Sequence, residues 1–433
     1  MVKVACAALQ MLPEHRAMER TCGSAANCCS RFAVRSATLR CLLVAHCASH
    51  SEAATVAPQA GCLRYSAFAT CDRFVEMDLL TLTDIRRAVS RASGSVVPAR
   101  VHVQVESATA KTQRDGKPYC ELVLADACDR MKLRVWSDHP NYKTCSGLTR
   151  ESFIELTGEF RQHPQFGLEA DKWIFRPLSD QETRELLEGP ADLRAKQATD
   201  WEFIVRAIDG IRDPRLRALT QMFVNEWGDR FRRAAAARKY HHARRGGLVE
   251  HTAQMMRVAS EIAPLYPQLN LDLLIAGILF HDSGKLWENQ FSETGFVMDY
   301  DELGELVGHI SIGLEVVNSL WRRLSSDNAD IWKNYSPPSE DVRLHLLHLI
   351  GAHHGQKELG SPVEPKTPEA MTLHYIDNLD SKLEMFAAGY TTAQPLAPRI
   401  FDRVHPLPGT LVKSLEKFHL ASDTKAASEG QLL

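Results

Sequence analysis

The stretch that most constrains this chain is LLIAGILFHDSGK, residues 273–285. An apolar run of helical character ends in adjacent His281 and Asp282, then a small-residue turn, then Lys285. Burying two metal-capable side chains at the end of an apolar helix is costly unless something is bound there. Taken alone, the pair also fits a core helix with a polar C-terminal turn. Further ligand-type residues recur in similar settings. They are His251 in GGLVEHT, His309 in VGHIS, His353 and His354 in LIGAHHG, and Asp377 in LHYIDNLDSK. A lone histidine in such a place is usually a satisfied core or surface residue. Five such sites on successive helices are harder to dismiss, because each unpaired buried polar group destabilises the fold. Imidazole and carboxylate donors without thiolates point to Mn, Fe, Co, Ni or Zn, with Mg also admissible. Seven ligand-type residues exceed one tetrahedral site, so two divalent ions bridged by a carboxylate are the expected arrangement, with Asp282 as the candidate bridge.

Composition narrows the class of partner. At 433 residues the chain can form two or three domains with cores of their own. A formal net charge of −3 gives no global basicity, so any nucleic-acid contact must come from a local patch. No apolar run approaches the roughly 20 residues needed to span a bilayer, and a cytoplasmic protein without membrane contact is expected. Of 11 cysteines, eight precede Asp72, which is no disulfide framework for the main body. Residues 1–76 are rich in Ala, Ser, Arg and Cys and carry no sustained period. MVKVACAALQMLPEHRAMER is a poor secretory signal, since Pro13, Glu14 and Arg16 break its apolar core. Met77 opens the well-behaved MDLLTLTDIRRAV and is a candidate start, so 1–76 is expected to be a disordered or spurious extension.

From about Val101 the period becomes two. VHVQVES, YCELVLAD and MKLRVW alternate as half-buried strands do, with FIELTGEF and WIFRPL as further strands. RDGKP, residues 114–118, supplies hairpin chemistry between the first two. Five short strands within 77–178 predict a small closed barrel of the five-stranded oligonucleotide/oligosaccharide-binding (OB) type. In MKLRVW, Met131, Leu133 and Val135 share one face, so Lys132, Arg134 and Trp136 share the other. Cations beside an aromatic ring suit a single-stranded nucleic acid, and Lys117 and Tyr119, with Lys111 and Arg114, could extend that surface. The same residues also fit an ordinary solvated strand face.

Residues 179–240 read as a charged linker and lead-in helices. Amphipathic helical patterns then run near 201–209, 214–239, 248–263, 271–281, 303–324, 340–353 and 368–388. The helical domain is bounded at 241–403, and 404–433 is expected to be a frayed tail.

The ordered set His251, His281–Asp282, His309, His353–His354, Asp377 resembles the HD-domain superfamily of metal-dependent phosphohydrolases. With an N-terminal OB-type barrel the chain is more closely similar to the YhaM-type 3′–5′ exoribonucleases. The matching stretches are DGKPYCELVLAD and LRVWSD, then HHARRGGLVEHT, LFHDSGKLWE, GHISIG, LIGAHHG and HYIDNLDSKLE. The resemblance covers roughly residues 95–390. It implies a multidomain α+β protein in which the barrel precedes an all-α HD-domain bundle. It also implies that His251, His281, Asp282 and Asp377 hold one metal, and that Asp282, His309 and one or both of His353 and His354 hold a second. Asp380, on the same helical face as Asp377, is the rival for the closing carboxylate. Lys285 is implied to sit near the reacting phosphate; otherwise it is an exposed helix-end lysine. His241, His242, Arg244 and Arg245 could meet phosphate or form a solvated loop. The implied activity is removal of nucleoside 5′-monophosphates from single-stranded RNA, or DNA, ends with two divalent ions. Mn2+ is the first expectation, and Co2+, Fe2+, Ni2+, Zn2+ and Mg2+ are alternatives. A homo-oligomer is also consistent with the resemblance. The rival readings are an HD-type nucleotide phosphohydrolase with a structural barrel and a non-catalytic RNA-binding protein.

Overall fold

The structure, a computed structural model, describes residues 77–92, 95–163 and 166–418. The expectations for residues 1–76, and for the end of the tail after 418, lie outside the described residues. A first helix, α1 (Leu82–Arg91), starts where the Thr81 side chain accepts the Asp84 N–H. Five strands follow: β1 (Val97–Thr112), β2 (Pro118–Ala125), β3 (Arg130–Trp136), β4 (Phe153–His163) and β5 (Gly167–Pro177). A short helix, α2 (Tyr142–Ser146), interrupts them before β4. The sheet is antiparallel with order β3-β2-β1-β4-β5.

The 16-residue β1 is shared between two partners. Its first half pairs with β4 and its second with β2, and the register shifts between Val105 and Ser107. Such a bulge bends and coils the sheet. Alternation is as the strand pattern predicts: Val101, Val103, Val105, Leu122, Leu124, Met131, Leu133, Val135 and Leu156 are buried together against Leu82 and Ile85 of α1. The closed barrel is corrected to an open sheet, since no backbone ladder joins β3 to β5 among the described residues. The two edges are instead bridged by a side-chain ion pair, Arg134 Nη1 to Glu169 Oε1 at 3.3 Å.

The charged 179–200 segment is helical, forming α3 (Asp180–Glu188) and the start of α4 (Ala191–Asp209). Ser179 and Glu182 form a reciprocal capping box on α3. Next come α5 (Pro214–Arg233), α6 (Gly247–Ile262), α7 (Leu271–Phe280) and α8 (Lys285–Glu288). They are followed by α9 (Glu302–Val307), α10 (His309–Asp327), α11 (Ala329–Trp332), α12 (Ser339–Ala352) and α13 (Pro368–Thr392). The pattern expected as one helix over 303–324 is broken at Gly308, whose φ of +74° lies in the left-handed region that favours glycine. The break makes His309 the first residue of α10.

Helix α7 is the axis of the helical half. Leu273 to Phe280 are all buried, as an all-round apolar helix requires. Phe223 of α5 meets Phe280 edge-on at 5.2 Å, and Leu346, Leu349 and Leu373 from α12 and α13 complete the same core.

The tail boundary is also corrected. Residues 395–412 form a three-stranded sheet, β6 (Pro395–Ala397), β7 (Ile400–Phe401) and β8 (Leu411–Val412). Phe401, Leu407 and Leu411 bury themselves against Met385 of α13. Strands of two or three residues are too short to show alternation, which is why this stretch reads as a tail. Among the described residues no helix is long and apolar enough to cross a membrane.

Phe280 is fully buried one residue before His281, so Phe280→Ala is expected to cost about 3–5 kcal/mol of stability. A urea midpoint unchanged from wild type would show that the α7 core is not the support described here.

Candidate metal centre

Each histidine is delivered to one pocket by a helix end or face, and each has its Nδ1 tied down. His281 closes α7 with Nδ1 2.7 Å from the Ile278 carbonyl oxygen. His353 repeats the device at the end of α12, with Nδ1 2.8 Å from Ile350 O. His354 Nδ1 lies 2.7 Å from Leu359 O. His309 Nδ1 is 2.8 Å from Glu288 Oε2, which also accepts the His309 backbone N–H at 3.1 Å. His251, inside α6, has Nδ1 2.7 Å from Asp380 Oδ2. A hydrogen bond at Nδ1 fixes ring and tautomer and turns the Nε2 lone pair outward, as metal-binding histidines require.

The outward atoms converge. Nε2 of His251, His281, His309 and His353, together with Oδ1 of Asp282, are buried and have no hydrogen-bond partner among the described residues. Donor atoms of His251, His281 and Asp377 lie within 4.8 Å of one another, and so do those of His309, His353 and His354. Asp282 stands between the two groups. Its Oδ2 is 3.2 Å from His281 Nε2 and 4.0 Å from His251 Nε2. Its Oδ1 is 3.7 Å from both His309 Nε2 and His353 Nε2. Asp377 Oδ1 is 3.3 Å from His251 Nε2, on the pocket side of that ring. Asp380 is on the other side, where it also binds His242 Nε2 at 3.0 Å. Orphaned buried lone pairs in two facing groups, all from borderline or hard donors, fit divalent cations.

The electrostatics agree with that donor set. Burial alone would raise the Asp282 carboxyl, but the His281 and Lys285 charges hold it well below the usual carboxylate range. Burial works the same way on Asp377, where the adjacent His251 imidazole and the His281 charge prevail. Burial pushes His353 well down, reinforced by the charges of His281 and His354. His251 is the exception: burial would lower it, yet the Asp377 and Asp380 carboxylates beside it raise it to about 9, so a cation at Nε2 would displace a proton. His241 goes the other way, to about 3, through burial and the nearby Lys285 charge.

Gly284 permits the closest approach in the pocket. A Cβ there would stand 1.9 Å from the His309 carbonyl oxygen, so the α7–α8 turn can touch the start of α10 only with glycine at that position. Lys285 is buried rather than exposed at a helix end, with Nζ 2.7 Å from Asp282 Oδ2. Arg245 departs from the phosphate expectation: its guanidinium donates to the carbonyls of Ser292 at 2.6 Å and Gly295 at 3.2 Å. His242 is buried against Asp380 rather than open to solvent. Sequence reading misses Glu288, because only the break at Gly308 brings His309 onto it. It reads Asp380 as a rival ligand rather than as the partner of His251.

On the sheet, Tyr119 and Trp136 are register partners with ring centroids 5.2 Å apart. Trp136 and Lys132 are exposed, as is Lys117 in the β1–β2 turn. Arg134 is partly engaged by Glu169 and lies 3.8 Å from the centroid of the Phe166 ring. A separate group of His102, Glu155 and Glu182 also has metal-type spacing. Arg176 and Arg100 already bond its carboxylates, so it is a charge-balanced ion network.

The HD domain family matches residues 248–382, the helices that carry every histidine of the pocket. Curated relatives named 3′–5′ exoribonuclease YhaM extend the similarity into the sheet. That of Oceanobacillus iheyensis is 28% identical over 295 residues, covering 67% of this chain and 86% of the relative. That of Bacillus pumilus is 29% identical over 300 residues, covering 68% and 88%. That of Bacillus subtilis is 30% identical over 301 residues, again covering 68% of this chain and 88% of the relative. With an HD-domain match over its pocket and this similarity across 88% of a curated relative, the chain belongs to the YhaM family of 3′–5′ exoribonucleases.

Proposed function

We propose that the chain is a metal-dependent 3′–5′ exoribonuclease that releases nucleoside 5′-monophosphates from single-stranded RNA. The observation that carries this function is the convergence on one carboxylate, facing both donor groups, of four Nε2 atoms without hydrogen-bond partners among the described residues. His251, His281, Asp282 and Asp377 would hold one divalent ion. Asp282, His309, His353 and His354 would hold the other. Mn2+ is the first choice for this donor set. Ions bound there supply a water of lowered pKa and neutralise charge on the phosphoryl oxygens.

The chain's own residues do the rest. Asp282 stays ionised in a buried setting and keeps its two oxygens aimed at opposite donor groups. Asp380 and Glu288 hold His251 and His309 in single orientations through Nδ1. Lys285 places a cation at the same carboxylate, where it would stabilise charge that grows on the phosphoryl group during displacement. The sheet, taken as an OB-type unit left open at one seam, would hold the strand. Lys117, Lys132 and Arg134 would meet phosphates, and Tyr119 and Trp136 would meet bases. An exonuclease acting on the 3′ end fits a pocket formed wholly by the helical half beside such a sheet. RNA is proposed over DNA from the activity in the relatives' names.

Incubating the protein with Mn2+ and 3′-labelled single-stranded RNA should release the label as a 5′-mononucleotide, and EDTA should abolish release. Turnover of free nucleotides with no action on the strand would replace this function with a nucleotide phosphohydrolase; a parallel DNA strand reads the sugar preference. Asp282→Asn is expected to abolish hydrolysis while circular dichroism stays native. Full activity in that variant would refute the bridging role. Asp380→Asn should weaken metal affinity about 10- to 100-fold and be rescued by added metal, as expected of a partner to a ligand. Asp377→Asn should not be rescued. The reverse pattern would exchange the two roles.

A further inference from the structure

The helical half and the sheet meet along the loop between α8 and α9, and this seam holds one conspicuous side chain. The Phe296 N–H is accepted by the side-chain carbonyl of Gln104 on β1. Arg130, the first residue of β3, reaches the carbonyls of Ala243 at 3.3 Å and Phe296 at 3.5 Å. Arg150 Nη2 pairs with Asp299 Oδ1 at 2.6 Å. On the other side of the loop, Arg238 Nη2 donates to both Glu288 O and Asp299 O at 2.7 Å, and Nη1 to Met298 O at 3.1 Å. Glu288 is the residue that orients His309. Residue 300 therefore lies one guanidinium away from a wall of the metal pocket and one ion pair away from the sheet.

The residue there is a tyrosine. Tyr300 is 72% exposed, although nothing in the fold requires an aromatic ring at that point. The Arg238 guanidinium carbon stands 4.2 Å from its ring centroid. Because three backbone carbonyls fix that guanidinium, it holds the ring by one face and leaves the other open. An aromatic ring held in place with a free face is the platform on which single-stranded bases stack. β3, which carries Lys132, Arg134 and Trp136 on its outer face, begins at Arg130 on this same seam. The seam thus joins the start of that strand to the loop that carries Tyr300.

We infer that Tyr300 is a base-stacking platform between the sheet and the metal pocket, held by Arg238, that binds the single strand as it enters the site. The inference rests on the exonuclease function proposed above. It is tested with a 5′-labelled oligoadenylate, by KM and kcat in Mn2+ and by binding anisotropy in EDTA. Tyr300→Ala should raise KM and the EDTA dissociation constant roughly tenfold, the size of one lost stack, with kcat little changed. Tyr300→Phe and Tyr300→Trp should restore both, since each keeps a π face. Tyr266→Ala, an exposed tyrosine beyond the far end of α6, should behave as wild type. Unchanged KM and binding in Tyr300→Ala would overturn the platform, and so would a fall in kcat alone. A wild-type protein that leaves the strand intact would overturn the exonuclease function and the platform together, which separates that failure from failure of the platform alone.

Discussion

Buried lone pairs govern this structure. Asp282 is 2% exposed, and the imidazoles of His251, His281 and His353 are at most 1% exposed, yet the atoms they present to one another cannot all be satisfied within the protein. Each unpaired buried polar atom costs about 1–3 kcal/mol. A fold that gathers several of them needs well-packed surrounding helices, and a cation at the lone pairs would add to its stability. α7 supplies the packing. Its eight consecutive buried residues anchor the His281–Asp282 turn in the centre of the helical core.

Around that centre, rigidity comes from partners one bond further out. Three histidines give Nδ1 to a backbone carbonyl of their own or a neighbouring turn, and two give it to a carboxylate. The carbonyl device is local: His281 and His353, at helix ends, reach the oxygen three residues back, and His354 reaches that of Leu359 five residues on. The carboxylate device is tertiary, and it links α6 to α13 and α8 to α10. It also sets the charge balance, since Asp380 and Asp377 together hold His251 at about 9 against the effect of burial. Glu250 has the same outer role on α6, where Arg244, Gln197 and Lys196 all bond its carboxylate and join α4 to the pocket's lead-in loop.

The sheet is tied to the helical half by polar contacts rather than by a shared core. Gln104, Arg130 and Arg150 all reach into the loop over 296–299, and the apolar cluster at the junction is small, with Phe291, Phe296 and Met298 against Ala125 and Ala127. This polar seam carries the exposed ring of Tyr300, between the pocket and the face of β3 proposed to hold the strand.

By itself the sequence determined the local elements and the chemistry of the donors. Period-two alternation marked the first three strands, and apolar runs ending in histidine marked α7 and α12, because both signals come from burial that repeats along one element. It also determined which residue types were available, which restricted the metal to one taking imidazole and carboxylate. Tertiary structure alone decided how those residues are shared out. Asp377 and Asp380 lie one helical turn apart, the resemblance favouring Asp377 as the ligand, and only the position of His251 between them puts one at Nε2 and the other at Nδ1. The break at Gly308, the burial of Lys285, the capture of Arg245 by loop carbonyls and the open edge between β3 and β5 were likewise hidden. The capture of Arg245 and the pairing of the strand edges depend on residues far apart in the chain, and no periodicity along a sequence records what a side chain meets on another element.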